Sequence, residues 1–205
     1  CVLRILLIER GRKGEPFFGH WALPGGFIKQ HEDLEVALRR ELREETGLRV
    51  GYIEQLYTFG RPDRDPRGRV ISTAYLALVK PKHVQGADDA RDARWWDVKA
   101  LPRLAFDHKE IIEVGLKRLR SKARWQPLGM ELLPHRFSLT QLQVVYEVIL
   151  DQRLDKRNFR RKALRFGILV ETGEKRYTGR RAAKLYRFDR KAYNRMVQQG
   201  IDFEV

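Results

Sequence analysis

The stretch GFIKQHEDLEVALRRELREETGL, residues 26–48, decides how this chain is read. Nine of its positions stand at fixed offsets: Gly26, Glu32, Arg40, Glu41, Leu42, Glu44, Glu45, Gly47 and Leu48. Residues 33–46 have the pattern of a helix. Asp33 is able to cap its start, Leu34, Ala37, Leu38 and Leu42 form an apolar stripe, and Gly47 is placed to end it. At about 100° per residue, Glu45 lies about 40° from Glu41 and Glu44 about 60° to the other side. Three carboxylates therefore converge on one edge of the helix, where they repel one another unless neutralised.

A hard divalent cation relieves that repulsion, because Mg²⁺ takes oxygen ligands and is held by a few carboxylates together with substrate phosphates and water. Such an ion activates water and screens the charge of a diphosphate, while one carboxylate serves as base or orients the water. The plain alternative is a solvated helix laced with ion pairs, since Arg39, Arg40 and Arg43 alternate with the glutamates. For an isolated Glu-Glu pair that alternative would prevail. With nine positions filled together, a chance match falls below about one in a hundred thousand at residue frequencies of roughly 5 to 10%, and the metal or diphosphate reading takes over.

This pattern resembles the Nudix box, complete at every defined position. The resemblance implies metal binding by Glu41, Glu44 and Glu45, with Glu41 and Glu45 as the catalytic carboxylates and the Glu41 position linked to base function. It also implies that Arg40 and Glu32 pair to brace the loop against the helix. Gly26 is expected to supply an unhindered backbone turn in the ligand site.

The 205 residues allow one large or two modest domains, and 42% hydrophobic residues suffice for packed cores. No apolar run approaches the roughly 20 residues of a membrane span, and no secretory leader is visible, although the chain begins at Cys1. A single cysteine excludes an internal disulfide framework and a Cys-rich zinc site. Cys1 is expected to be a small buried residue, and a reducing, cytoplasmic compartment fits best. The net charge of +15 and pI of about 10.2 point to a polyanionic partner. Residues 133–205 hold 17 Lys plus Arg against 8 Asp plus Glu, a net +9. Basicity is thus concentrated after the carboxylate helix.

Around the box, residues 2–8, 21–28, 52–59, 70–79 and 93–98 have strand composition, and residues 106–120 read as a closing helix. Together they predict an α/β sandwich with a mixed sheet over residues 1–124. Trp125, Pro127, Gly129 and Pro134 break the periodicity, which places a linker at 125–134. From residue 135 to 205 a second domain follows. Ser138-Leu139-Thr140-Gln141 is a capping-box pattern leading into Leu142, Val145, Tyr146, Ile149 and Leu150. Asp155 caps a second helix, residues 156–166, stopped by Gly167.

Phe159, Ala163 and Phe166 share one face of this second helix, leaving Lys156, Arg157, Asn158, Arg160 and Arg161 for a partner. Two helices joined by a short turn, the second basic, have the form of a helix-turn-helix. Residues 168–170 and 184–188 read as paired strands around a basic wing whose tip carries Arg176, Arg180 and Arg181. The helix suits a major groove and the wing a minor groove or the phosphate backbone. For any single arginine a solvated surface is the commoner outcome, but helix, turn and wing together favour double-stranded DNA.

An amino-terminal Nudix domain followed by a winged helix, with Phe59-Gly60-Arg61-Pro62-Asp63-Arg64-Asp65, Leu104-Ala105-Phe106-Asp107-His108 and residues 154–162, resembles the Nudix-related transcriptional regulators over nearly the whole chain. The resemblance implies a bacterial, homodimeric repressor of NAD biosynthesis or salvage genes, with ADP-ribose or a related NAD metabolite as effector. Many members have eroded boxes. The intact one here leaves hydrolysis open, so a Mg²⁺-dependent diphosphatase with a basic recruiting domain stands as the alternative. Arg61, Arg64 and Arg69 are candidates to pair with a diphosphate, and Tyr57 or Phe59 to stack on a base, although such aromatics are more often core. Asp107 is expected to cap a helix and His108 to be an ordinary helix residue.

Overall fold

A computed structural model of the chain describes residues 1–50, 53–80, 84, 90–178 and 181–198. The chain divides into two compact units, one of Val2–Lys117 and one of Arg118–Val205 together with Cys1. The division falls inside a helix. Among the described residues, no helix is long and apolar enough to cross a membrane. Cys1 is exposed, contrary to expectation, because it precedes the first strand.

In the first unit, β1 (Arg4–Arg10) is the central strand of an antiparallel sheet, flanked by β2 (Trp21–Ala22) and β5 (Ala90–Asp97). Its continuous apolar run has a physical reason: Leu6 and Ile8 enter a core with Ala22, Leu48, Ala93 and Ala105, while Leu7, on the opposite face, is wholly buried as well. A strand covered on both sides has no polar face to alternate with. Strands β3 (Glu54–Phe59) and β4 (Ser72–Leu76) form a separate antiparallel pair. The parallel element of the arrangement is a bridge between Trp21 and Leu104.

Helix α1 (Leu34–Thr46) begins and ends as its sequence dictates. The Asp33 side chain accepts from the Leu34 N–H, and Gly47, at φ 70°, donates its N–H to the Arg43 carbonyl. The strand expected over 21–28 stops at Ala22, however. Beyond it Pro24 has no N–H to donate, and the N–H groups of Leu23 and Gly25 go to side-chain acceptors instead of a neighbouring strand. Helix α2 (His108–Trp125) closes the unit and continues past the division.

The second unit is built on α3 (Leu139–Leu150), which buries Leu139, Leu142, Gln143, Tyr146, Ile149 and Leu150. Its capping box is present in full, with Ser138 Oγ accepting from Gln141 N and Gln141 Oε1 accepting from Ser138 N. Residues expected as linker take part in this core: the Leu128 N–H donates to the Tyr146 hydroxyl at 3.0 Å, and Leu133 is buried. Helix α4 (Lys156–Arg165) follows, capped by Asp155, which accepts from the Asn158 N–H at 2.7 Å.

Strands β6 (Leu169–Thr178) and β7 (Arg181–Phe188) form a longer hairpin than the sequence indicated. Gly173, at φ 77°, sits in a register shift between Glu171 and Lys175 and lets pairing resume beyond it. Arg176 is therefore not at a loop tip; it lies in the ladder opposite Ala183. Thr178 pairs with Arg181, and Arg180 lies outside the described residues. A bridge between Phe137 and Tyr186 adds a third line of pairing. Helix α5 (Arg190–Gln198), which the sequence reading passed over, is capped by Asp189 through the N–H groups of Lys191 and Ala192. Asp189 ahead of Tyr193 and Met196 is the signal that would have found it.

Candidate functional site

The carboxylate site is organised by one arginine. Arg40 donates from Nε to Glu32 Oε2 at 2.9 Å and from Nη2 to Glu32 Oε1 at 2.5 Å, a two-point grip, and Nη2 also reaches the Phe27 carbonyl at 3.2 Å. The expected brace between loop and helix is thus in place. Hydrogen bonding from Arg40 holds the Glu32 carboxyl down at about 2, and the same bonds push the guanidinium upward.

The free edge of that guanidinium faces the metal-type carboxylates. Nη1 donates to Glu41 Oε1 at 2.5 Å and to Glu44 Oε2 at 2.9 Å, while Glu45, which is buried, accepts from the Gly25 N–H at 2.8 Å through Oε2. Among the described residues no group of three or more His, Cys, Asp or Glu side chains is assembled to hold a metal ion. The repulsion foreseen from the helical spacing is relieved in this arrangement by a guanidinium and a backbone amide.

Gly26 earns its place through space. A Cβ there would lie 2.5–2.6 Å from the Cδ, Oε1 and Oε2 atoms of Glu41, so any side chain displaces that carboxylate. The unusual backbone belongs to its neighbour Gly25, at φ 150°.

Two of the expected ligand residues are committed elsewhere. Arg64 is buried, with Nε donating to Asp107 Oδ2 at 2.8 Å, Nη2 to Asp107 Oδ1 at 2.7 Å and Nη1 to Ser72 Oγ at 2.5 Å. Its donors are taken by a buried partner, and the Asp107 carboxylate, at the start of α2, is bonded to this guanidinium. Phe59 is only 6% exposed and belongs to the core, whereas its T-shaped neighbour Tyr57 is 60% exposed. Of the two aromatics, Tyr57 has the ring available for stacking. Arg61 is exposed beside Asp63 and Glu110 at 3.6 and 3.4 Å, and exposed Arg69 donates from Nη1 to the Gly60 carbonyl at 2.5 Å.

The sequence also undervalued His108. Its Nδ1 accepts from the Leu23 N–H at 2.9 Å, and burial pushes the imidazole down to about 4. Next to it Phe106, at φ 51°, packs on Phe17 at 4.7 Å, and the guanidiniums of Arg10 and Arg67 lie 4.9 and 5.4 Å from its ring centre. No spacing rule announces these contacts.

The basic face of the second unit is arranged as expected on α4. Phe159 and Ala163 are buried, with Phe159 5.4 Å from Tyr146 of α3, while Lys156, Arg157, Asn158 and Arg161 are exposed. Arg161 donates to Asn158 Oδ1 at 2.8 Å. Arg160 differs, being half-buried and donating from Nη2 to Thr140 Oγ1 at 3.0 Å, which ties α4 to the first turn of α3. The turn is fastened by Glu147, which accepts from the Leu154 N–H and from Gln143 Nε2 through Oε1; Gln143 Nε2 also reaches the Leu154 carbonyl. These bonds hold the Glu147 carboxyl below its ordinary value, the Leu154 amide contributing most. A helix docked by two apolar residues and presenting four polar ones is suited to a groove lined by phosphates.

Comparison with known proteins agrees with both halves. Residues 3–114 match the Nudix domain family and residues 129–188 the NrtR DNA-binding winged helix domain. The chain is 37% identical over 197 residues to an ADPR responsive transcriptional repressor of Acinetobacter baylyi, covering 94% of this chain and 78% of the relative. It is similar to the crystal structure of Shewanella oneidensis NrtR complexed with a 27mer DNA, with TM-score 0.81 and 36% identity over 94% of this chain and 90% of that one. The Nudix domain of the same Shewanella protein, in complex with ADP ribose, matches at TM-score 0.54 and 39% identity over 58% of this chain and 79% of that one. By the sequence of both domains and by the likeness of nearly its whole length, this chain belongs to the Nudix-related transcriptional regulators of the NrtR type.

Proposed function

We propose that the protein is a DNA-binding repressor of NAD biosynthesis or salvage genes whose Nudix domain binds ADP-ribose as the controlling signal. The observation that carries this reading is the joining, in one chain, of a complete and braced Nudix box to a winged helix with an exposed basic face on α4. Support comes from the named properties of its relatives: one is ADPR responsive, one is bound to DNA, and the Nudix domain of the latter is bound to ADP ribose. Residues 1–124 contain the sensing domain and 135–205 the DNA-binding helices and wing, with 125–134 joining them and packing into the core of the second unit. The protein acts in the bacterial cytoplasm as a homodimer on a two-fold operator.

In the sensing domain, Arg61, Arg69 and the Gly26 turn face the diphosphate and Tyr57 the base. Glu41, Glu44 and Glu45 would hold Mg²⁺. Their donor set fits a hard cation, since all three offer carboxylate oxygens and the contacts now satisfying them, a guanidinium and an amide N–H, are themselves positive dipoles or charges that a cation replaces. A bound ion would supply charge neutralisation for the diphosphate and an activated water. On the DNA side, Lys156, Arg157, Asn158 and Arg161 contact the duplex directly, with Arg160 fixing their helix, Arg176 lying in the wing ladder, and Arg180 and Arg181 adding phosphate contacts.

Ligand alters DNA occupancy only if it binds two conformations of the protein with different affinity. The test is duplex binding at fixed salt with and without ADP-ribose, and unchanged operator affinity under saturating ADP-ribose would refute the coupling. The intact box favours a second reading, Mg²⁺-dependent hydrolysis of ADP-ribose. Assayed on the same preparation, turnover abolished by Glu45→Gln with no sequence-specific duplex binding would make the protein an enzyme instead.

A further inference from the structure

The loop of residues 23–26 carries the two glycines against which Glu41 and Glu45 rest, so its placement sets the floor of the carboxylate site. Backbone pairing supports the approach to it: Trp21 N–H donates to the Arg103 carbonyl at 2.9 Å and Ala105 N–H to the Trp21 carbonyl at 2.8 Å. Past Ala22 the ladder ends, and two alternate amides are taken by side chains from different helices. Gly25 N–H goes to Glu45 of α1, and Leu23 N–H to His108 of α2.

The His108 imidazole is held in turn. The His108 backbone N–H donates to the Ala105 carbonyl at 3.2 Å, Phe106 packs against the ring with centres 5.5 Å apart, and the adjacent Asp107 carboxylate is clamped by Arg64, itself bonded to Ser72 of β4. An Nδ1 that accepts a backbone N–H must be unprotonated. Burial keeps the ring neutral, the positive charges of Arg64 and Arg10 act in the same sense, and Asp107 opposes them.

We propose that His108 is a positioning residue for ADP-ribose: as a neutral acceptor at Nδ1 it fixes residues 23–26 against the carboxylates of α1, without itself touching the ligand. The proposal rests on the reading of that loop as part of the ADP-ribose site. Two replacements separate the acceptor from the bulk of the ring. His108→Asn keeps an acceptor oxygen at the position of Nδ1, and His108→Leu removes it.

Loss of one hydrogen bond that orders a binding loop corresponds to roughly tenfold in affinity. Calorimetric titration of the full chain with ADP-ribose should show His108→Leu weakened about tenfold and His108→Asn within about threefold of the unsubstituted protein. Amide exchange should accelerate at Leu23 and Gly25 in His108→Leu, with the β1–β5 ladder unchanged, and nitrogen NMR should show Nδ1 unprotonated at neutral pH. Equal affinity of all three proteins, an asparagine variant as weak as the leucine one, or a protonated Nδ1 would overturn the proposal. If the unsubstituted protein failed to bind ADP-ribose, the functional reading would fall, and the assignment to this ligand with it; the exchange comparison would then decide separately whether His108 holds the loop.

Discussion

Arg64 is the residue on which a ligand role and a structural role make opposite predictions. The Arg64 and Asp107 side chains are 4% and 6% exposed, joined by bonds of 2.8 and 2.7 Å, with a third of 2.5 Å to Ser72 Oγ. Arg64→Met leaves the Asp107 carboxylate buried without its partner, and Asp107→Leu does the same to the guanidinium. Breaking a buried pair from one side costs about 3–5 kcal/mol, a large share of the about 5–15 kcal/mol that keeps a domain folded. The melting point should fall by about 10 °C or more.

Removing both charges together avoids the orphaned ion, so the double variant Arg64→Met/Asp107→Leu should recover most of the loss. Urea unfolding of the four proteins measures this cycle. ADP-ribose affinity of the folded fraction, titrated at low temperature, should stay within about threefold for Arg64→Met if its role is structural. The reasoning fails if Arg64→Met melts within about 1 kcal/mol of the unsubstituted protein while binding ADP-ribose far more weakly, since the arginine would then serve the ligand directly.

Gly26→Ala forces the Glu41 carboxylate off Arg40 Nη1; because the displaced group is the end of a side chain, stability should drop by only about 1–2 kcal/mol, whereas ADP-ribose binding by calorimetry should weaken about tenfold. Arg157→Ala removes an exposed cation from α4 and should weaken duplex binding alike on all sequences, lowering the slope of log affinity against log salt by about one in a filter or fluorescence assay. The Glu32 carboxyl, held at about 2 by Arg40, is depressed below its unfolded value of 4.5, so its stabilising contribution is present above pH 4.5 and is lost as pH falls toward 2. Thermal melts between pH 5 and pH 2 should accordingly be steeper for the unsubstituted protein than for Glu32→Gln, and parallel curves would refute the pairing.

The readable parts of this molecule are those whose causes lie within a few residues. Asp33 and Gly47 bound α1, Ser138 and Gln141 start α3, and Asp155 starts α4, because a cap is a bond between near neighbours. The Arg40–Glu32 brace was legible for another reason, through the pattern of the whole box. Where acceptors came from distant residues, expectation failed: the strand beyond Ala22 ended early because His108 and Glu45 captured its amides, 85 and 20 residues away in sequence. The wing was likewise underestimated, since a glycine inside the hairpin reads locally as a turn and only its partner strand shows it to be a register shift.

By itself, the sequence determined that a carboxylate helix and a basic helix exist, where each begins and ends, and what charge each presents, since these follow from spacing and local bonding. Only the tertiary structure decided which charges remain for a partner. Arg64 and Phe59 look like ligand residues until burial commits one to Asp107 and the other to the core, and His108 looks ordinary until the fold brings it to Leu23. The physical reason is that a polar group's availability depends on whether it is desolvated and already bonded, and those partners are chosen by the packing of residues far apart in the chain.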